Sequence, residues 1–372
     1  MNFANLTQHF AGTASCKALL RLLADPSDRH ITLQGLQGSG APMALATAAG
    51  KGGLYLIILD DEDQAGYFYS DLSTLLDERR VLYLPSGYKR AVKYGHRDEA
   101  SAILRTEVLS RLITQDSFST LYVITYPEAL AVKVTPPKVV DSDTFTLSVG
   151  QQLSMDDLQA RLLDIGFERE DYVYEPGQFS VRGSIIDIFS YALEYPLRVD
   201  FFGNEIDSIR TFDVESQLSQ ERCQQAVIAC NVAQQSDNMV PIWQYIPEHA
   251  VLVMKHPDLV IGKVKQTYQD GFVEAARIEN ADAESVDAHA LLYDGQDWEA
   301  CVSKYRQVII GETTDKIPDK AKSLAKITFS QHQQPLFHKN MEMLADNLQS
   351  YVSQGYTIYI LAEDHMQQDR LR

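Results

Sequence analysis

The chain is poor in sulfur, has no long apolar run and carries too few bases for its acids. Its four cysteines (Cys16, Cys223, Cys230, Cys301) are scattered with no C-x-x-C pair, which excludes a zinc-finger spacing and a disulfide framework. No apolar run approaches the roughly 20 residues needed to span a bilayer. The opening "MNFANLTQHF" lacks the basic-then-apolar pattern of a secretory signal. A cytoplasmic, thiol-reduced protein without a membrane role is expected. Nine histidines show neither H-x-x-x-H nor H-E-x-x-H spacing, so no metal site is expected. Lys and Arg number 33 against 51 Asp and Glu, a net charge of −18. Such a surface repels phosphate backbones, which argues against direct nucleic-acid binding by this chain and points to protein partners.

A second absence lies in a motif. "GLQGSGAP" (35–42) follows the strand-like Ile31-Thr32-Leu33 and precedes an alanine-rich helical stretch. Gly35 and Gly40 stand where the glycines of a phosphate-binding G-x-x-x-x-G-K-[ST] loop belong, with Gly38 between them. Ala41 replaces the lysine that reaches the β/γ-phosphates, and Pro42 replaces the hydroxyl that binds Mg²⁺. A chance glycine turn and the relic of a P-loop both account for the frame. Under either, Gly35, Gly38, Gly40, Ala41 and Pro42 form at most an inactive nucleotide site. Glu128 in "YPEAL" reads as the first-turn acid of a helix, and Asp60-Asp61-Glu62 as a strand cap or solvated cluster.

Residues 1–140 alternate short apolar strands (Leu54–Leu59, Arg80–Ser86, Thr120–Tyr126) with helical patterns such as Asp98–Leu112, the signature of an α/β layer with a parallel sheet. The alternation returns from about residue 233, with strands at Ala250–His256 and Gln307–Thr313, a helical stretch to about Asn280, a helix ending at Gly355 and a strand in "YTIYILAED". Arg372 falls in what reads as a helix just begun, so a fragment of a longer protein is expected.

The segment between them differs. Asp141–Cys230 holds 17 Asp/Glu, six Arg and no lysine, so net −11 sits in about a quarter of the chain. Ser154-Met-Asp-Asp157 predicts a helix start and Gly166 its end. "FFGNEI" predicts a two-residue hairpin turn at Gly203-Asn204. In "LRVDFF", alternation puts Leu197, Val199 and Phe201 on a core face, and Arg198, Asp200 and Phe202 on the other. In "FSVRGSIIDIF", Phe179 and Val181 point inward and Arg182 outward, with Gly183 suggesting a bulge or a close backbone approach. Two readings of Arg182, Arg198 and Phe202 stand: a protein-binding hot spot, or arginines that neutralise nearby carboxylates beside a phenyl ring closing a small core. The fold expected is α/β with an inserted α+β module: 1–140 and 233–372 as two halves of a degenerate P-loop-NTPase-like parallel-sheet domain, and 141–232 as the insert.

"YEPGQFSVRGSIIDIFSYALEYPLRVDFFGNEIDSIRTFDVESQLS" (174–219) resembles the signature shared by bacterial transcription-repair coupling factors (Mfd) and the excision-repair protein UvrB, with Asn204 where Asp is usual. The flanking regions resemble the same family more weakly. UvrB keeps an intact Lys and Thr in its loop, so Ala41 and Pro42 align this chain with the coupling factors, whose N-terminal region has lost its nucleotide site. The resemblance implies a non-catalytic adaptor, a UvrB-like module that binds UvrA through residues matching Arg182, Arg198 and Phe202. It implies no cofactor in this chain. ATP and Mg²⁺, DNA and RNA polymerase would be bound by C-terminal motor and polymerase-binding domains absent here, and a C-terminal domain would mask the module at rest. A UvrB-like or P-loop ATPase acting in excision repair is the alternative.

Overall fold

A computed structural model describes residues 3–25, 30–48, 52–87, 99–114, 120–193, 195–231, 238–270, 291–311, 324–332, 335, 337 and 340–360. The strands, in chain order, are β1 His30–Gln34, β2 Gly53–Ile58, β3 Val81–Tyr83, β4 Thr120–Thr125, β5 Thr144–Ser148, β6 Glu168–Arg169, β7 Gln178–Arg182, β8 Ile185–Ile188, β9 Leu197–Phe202, β10 Glu205–Phe212, β11 Ser219–Cys223, β12 Gln225–Ala229, β13 Val251–Met254, β14 Arg306–Ile310 and β15 Leu324–Thr328. They form three sheets.

The largest sheet is seven-stranded, in the order β15-β1-β14-β13-β2-β4-β3, and every neighbouring pair in it is parallel. Its central strands are apolar on both faces because helices cover both. Leu54, Leu56 and Ile58 pack into one cluster, while Tyr55 and Ile57 pack into another. Helices start where the sequence supplies caps. Asp61 accepts the Gln64 N–H at 2.9 Å to open Glu62–Leu75, and Ser154 accepts the Asp157 N–H at 3.1 Å to open Met155–Asp164. Gly166, at φ +85°, turns the chain after the second of these.

The six-stranded sheet runs β11-β10-β9-β8-β7-β6, antiparallel except for β6–β7. β5 and β12 form a separate antiparallel pair. Phe179, Ile186, Ile188, Val199 and Ile209 lie on the buried face of the six-stranded sheet, in a cluster continuous through Leu147 and Ile228 with Leu54, Leu56 and Val123 of the larger sheet.

Two expectations differ from the structure. Gly183 makes neither a bulge nor a close approach: Arg182 pairs with Ile185, so Gly183-Ser184 is a tight hairpin turn, with Gly183 at φ +62° and open space around it. Register irregularities lie instead on β10, between Ile206 and Ser208 and between Arg210 and Phe212. Residues 356–360 follow the helix Met341–Ser353 without joining a sheet, and the remainder of "YTIYILAED" lies outside the described residues. The helix after β13 is described as Pro257–Asp270, and its expected extension to Asn280 also falls outside them. β15 escaped the sequence reading because "LAKIT" carries a lysine mid-strand; its pairing with β1 defines it. Among the described residues no helix is long and apolar enough to cross a membrane.

Candidate docking face and glycine loop

The outer face of the six-stranded sheet brings the sequence-flagged residues together around a residue the sequence reading passed over. Asp187 on β8 is paired in register with Arg198 on β9 and with Ser180 on β7. Its side chain is only 1% exposed, and it binds both guanidiniums. Arg198 forks onto it, Nε to Oδ1 at 2.8 Å and Nη2 to Oδ2 at 3.0 Å. Arg182 Nη2 donates to the same Oδ2. These charge-assisted bonds raise the Arg198 pKa above its ordinary value.

Each arginine also lies against an aromatic ring. The Arg198 guanidinium sits 4.4 Å from the centroid of Phe212, and that of Arg182 sits 5.1 Å from Tyr172. Phe212 belongs to a small core on this outer face, with Val173 and Phe189. Arg198 is closed over further by Gln217, whose carbonyl accepts from Nη1 at 3.2 Å. Gln217 holds φ +58°, in a turn where Asp213 Oδ1 accepts from Ser216 N at 2.8 Å and Ser216 Oγ at 2.7 Å. The Ser216 hydrogen bonds lower the Asp213 pKa.

Phe202 occupies the other end of the face. It pairs with Glu205 across Gly203-Asn204, the predicted two-residue turn, and is 84% exposed. A phenyl ring this open closes no core. The same side of the sheet carries Asp200, which accepts from Ser184 Oγ at 3.0 Å and lies 3.7 Å from Arg210 Nη2. The outward set of the sequence reading thus divides. Arg198 is a covered brace with its side chain 15% exposed, Arg182 is 39% exposed, and Phe202 is free. Asp187 had a faint sequence signal: it alternates with Ile186 and Ile188, so it had to share the outer face with Arg182.

The glycine loop joins β1 to the helix Gly40–Ala48, at the strand end where ligands gather in parallel α/β sheets. It is filled by the chain itself. Gln331 Oε1 accepts from Gln37 N at 2.8 Å, taking an N–H that a phosphate oxygen takes in a working loop. A Cβ on Gly40 would fall 2.1 Å from that oxygen, and one on Gly35, at φ +73°, would fall 2.0 Å from the Phe329 carbonyl. Gly35 is therefore required by the backbone of Phe329, whereas a Cβ at Gly40 would displace the flexible Gln331 side chain. Ala41 and Pro42 are buried in the helix start. At the two positions that hold a Mg²⁺-nucleotide in a working loop the residues present do not fit it, because Ala41 offers no cation and Pro42 no hydroxyl.

The strand-end acids face basic side chains, with Asp60 Oδ1 and Glu128 Oε2 left without a hydrogen bond among the described residues. Asp60 Oδ2 lies 2.8 Å from His256 Nδ1, and Lys263 Nζ donates to the Asp60 carbonyl at 2.6 Å. Lys263 also lies 3.9 Å from Glu128, which is the first-turn acid of the helix Pro127–Ala131, as expected. Among the described residues no three His, Cys, Asp or Glu side chains are grouped to hold a metal.

Residues 145–232 match the family model of the UvrB interaction domain. The transcription-repair-coupling factor of Bacillus subtilis is 33% identical over 193 residues, 51% of this chain and 16% of the relative. That of Escherichia coli is 39% identical over 92 residues, 25% of this chain and 8% of the relative. The UvrABC system protein B of Thermosipho africanus is 28% identical over 212 residues, 53% of this chain and 31% of the relative. The chain is thus similar to the transcription-repair coupling factors over about half of its length, its residues 145–232 match the UvrB interaction domain model, and the match spans about a sixth of the length of the Bacillus relative.

Proposed function

We propose that this chain is the UvrA-recruiting adaptor portion of a transcription-repair coupling factor, and that residues 141–232 dock UvrA through Arg182, Arg198 and Phe202. The observation that carries the reading is the 84% exposed Phe202 on the same sheet face as an arginine pair tethered to a buried carboxylate, inside a UvrB interaction domain. An exposed ring of this kind loses water on docking into an apolar socket, and a guanidinium on the same face pairs with a partner carboxylate. The α/β part (1–140 with 233–372) supports the module and performs no catalysis. Its loop at Gly35, Gly38, Gly40, Ala41 and Pro42 is a degenerate P-loop, now a packing element. DNA translocation, ATP hydrolysis and RNA-polymerase binding belong to other parts of such a protein, and the chain works in the cytoplasm. Titration of UvrA into the chain tests this: binding that Phe202→Ala weakens is expected, and undiminished binding contradicts it.

The similarity to UvrABC system protein B favours one rival, an ATPase using the glycine loop. Calorimetry with Mg-ATP separates the two. The adaptor reading expects no binding heat and no phosphate release, because Gln331 fills the loop and no lysine serves it.

A further inference from the structure

Two arginines on one face need not do the same work, and here their surroundings differ. Arg198 spends Nε and Nη2 on Asp187 and donates Nη1 to Gln217, over the buried Phe212 ring. Arg182 gives Nη2 to Asp187 and lies against Tyr172; its Nε and Nη1 take no hydrogen bond among the described residues. One carboxylate thus serves two cations, so the cluster of Asp187, Arg182 and Arg198 carries a single net positive charge within a segment that is net −11.

We infer that Asp187 is a positioning residue for docking: with Arg198 as its brace, it fixes the Arg182 guanidinium so that its unused edge meets an acidic group on the partner. Without the shared carboxylate, two neighbouring guanidiniums repel and Arg182 becomes a free rotor. Ordering it again is then charged against association. Because Asp187 is buried, it acts through Arg182 and touches no partner itself.

The inference rests on the UvrA-docking reading, and calorimetric titration of UvrA into the full chain distinguishes the two. Asp187→Asn is expected to weaken binding about tenfold, with Arg182→Ala costing a similar factor in the natural chain and little more when combined with Asp187→Asn. That non-additivity marks positioning. If Arg182→Ala costs the same factor in both backgrounds, the inference is overturned. Should Asp187→Asn not fold, Arg198→Lys serves: it keeps the charge but cannot fork onto both carboxylate oxygens. It should weaken UvrA binding several-fold with an unchanged circular-dichroism spectrum, and an unchanged affinity overturns the inference. A loss on Phe202→Ala with none on Asp187→Asn or Arg198→Lys overturns the positioning role alone. No loss on Phe202→Ala overturns both.

Discussion

The glycine loop after β1 and the hairpin face of the six-stranded sheet were both marked by the sequence, and they end in opposite states. At the loop the chain supplies its own occupant, the Gln331 carboxamide, and packs the Phe329 carbonyl against Gly35. At the hairpin face the buried Asp187 carboxylate is paired with both guanidiniums, while the Phe202 ring stays unpacked. A glycine frame of this spacing stands without a phosphate when another segment packs where a Cβ would be. An exposed aromatic on the same face as a tethered cation has no such internal explanation, which is why it points to a partner.

The largest effect that would sharpen this contrast is at Gly35. Gly35→Ala must place a Cβ against the Phe329 backbone at a positive φ, and should destabilise the chain by roughly 2–4 kcal/mol in denaturant melts. Gly38→Ala meets open space at φ +52° and should cost only about 1 kcal/mol. Equal costs at the two positions would break the packing account of the frame. At the docking face, Phe202→Ala should remove ~2 kcal/mol or more of UvrA binding, while stability stays within about 0.5 kcal/mol. Gln331→Ala should cost about 1 kcal/mol of stability for the lost hydrogen bond. It should also make Gly40→Ala milder than in the natural chain, because the atom a new Cβ would strike is gone.

The smallest effect concerns pH. Hydrogen bonds from Ser216 hold the Asp213 carboxyl below its ordinary value, so the turn's contribution is present above the unfolded carboxylate range and is lost as pH falls through the lowered folded value. The melting temperature should therefore respond to Asp213→Asn in neutral buffer and lose that response in strong acid.

Local chemistry was legible in the sequence; distant chemistry was not. The turn at Gly203-Asn204, the Ser154 cap and the apolar strands β2 and β4 depend on neighbours a few residues away, and each appears where the pattern put it. The inward face of β9 was likewise readable, since alternation alone buries Leu197, Val199 and Phe201. Asp187 stayed hidden because its meaning comes from cross-strand register, which places it opposite Arg198. Gln331 lies 294 residues from its Gln37 partner, and no spacing rule connects the two. β15 and residues 356–360 failed in opposite directions for one reason: whether a short mixed run becomes a strand depends on whether an edge stands ready to receive it.

The adaptor account is tested most directly by titrating UvrA into the natural chain and into Phe202→Ala under identical salt. Saturable binding to the first and a loss of about thirtyfold or more in the second is the result expected. Equal affinities for the two chains, or no association with either, would contradict it.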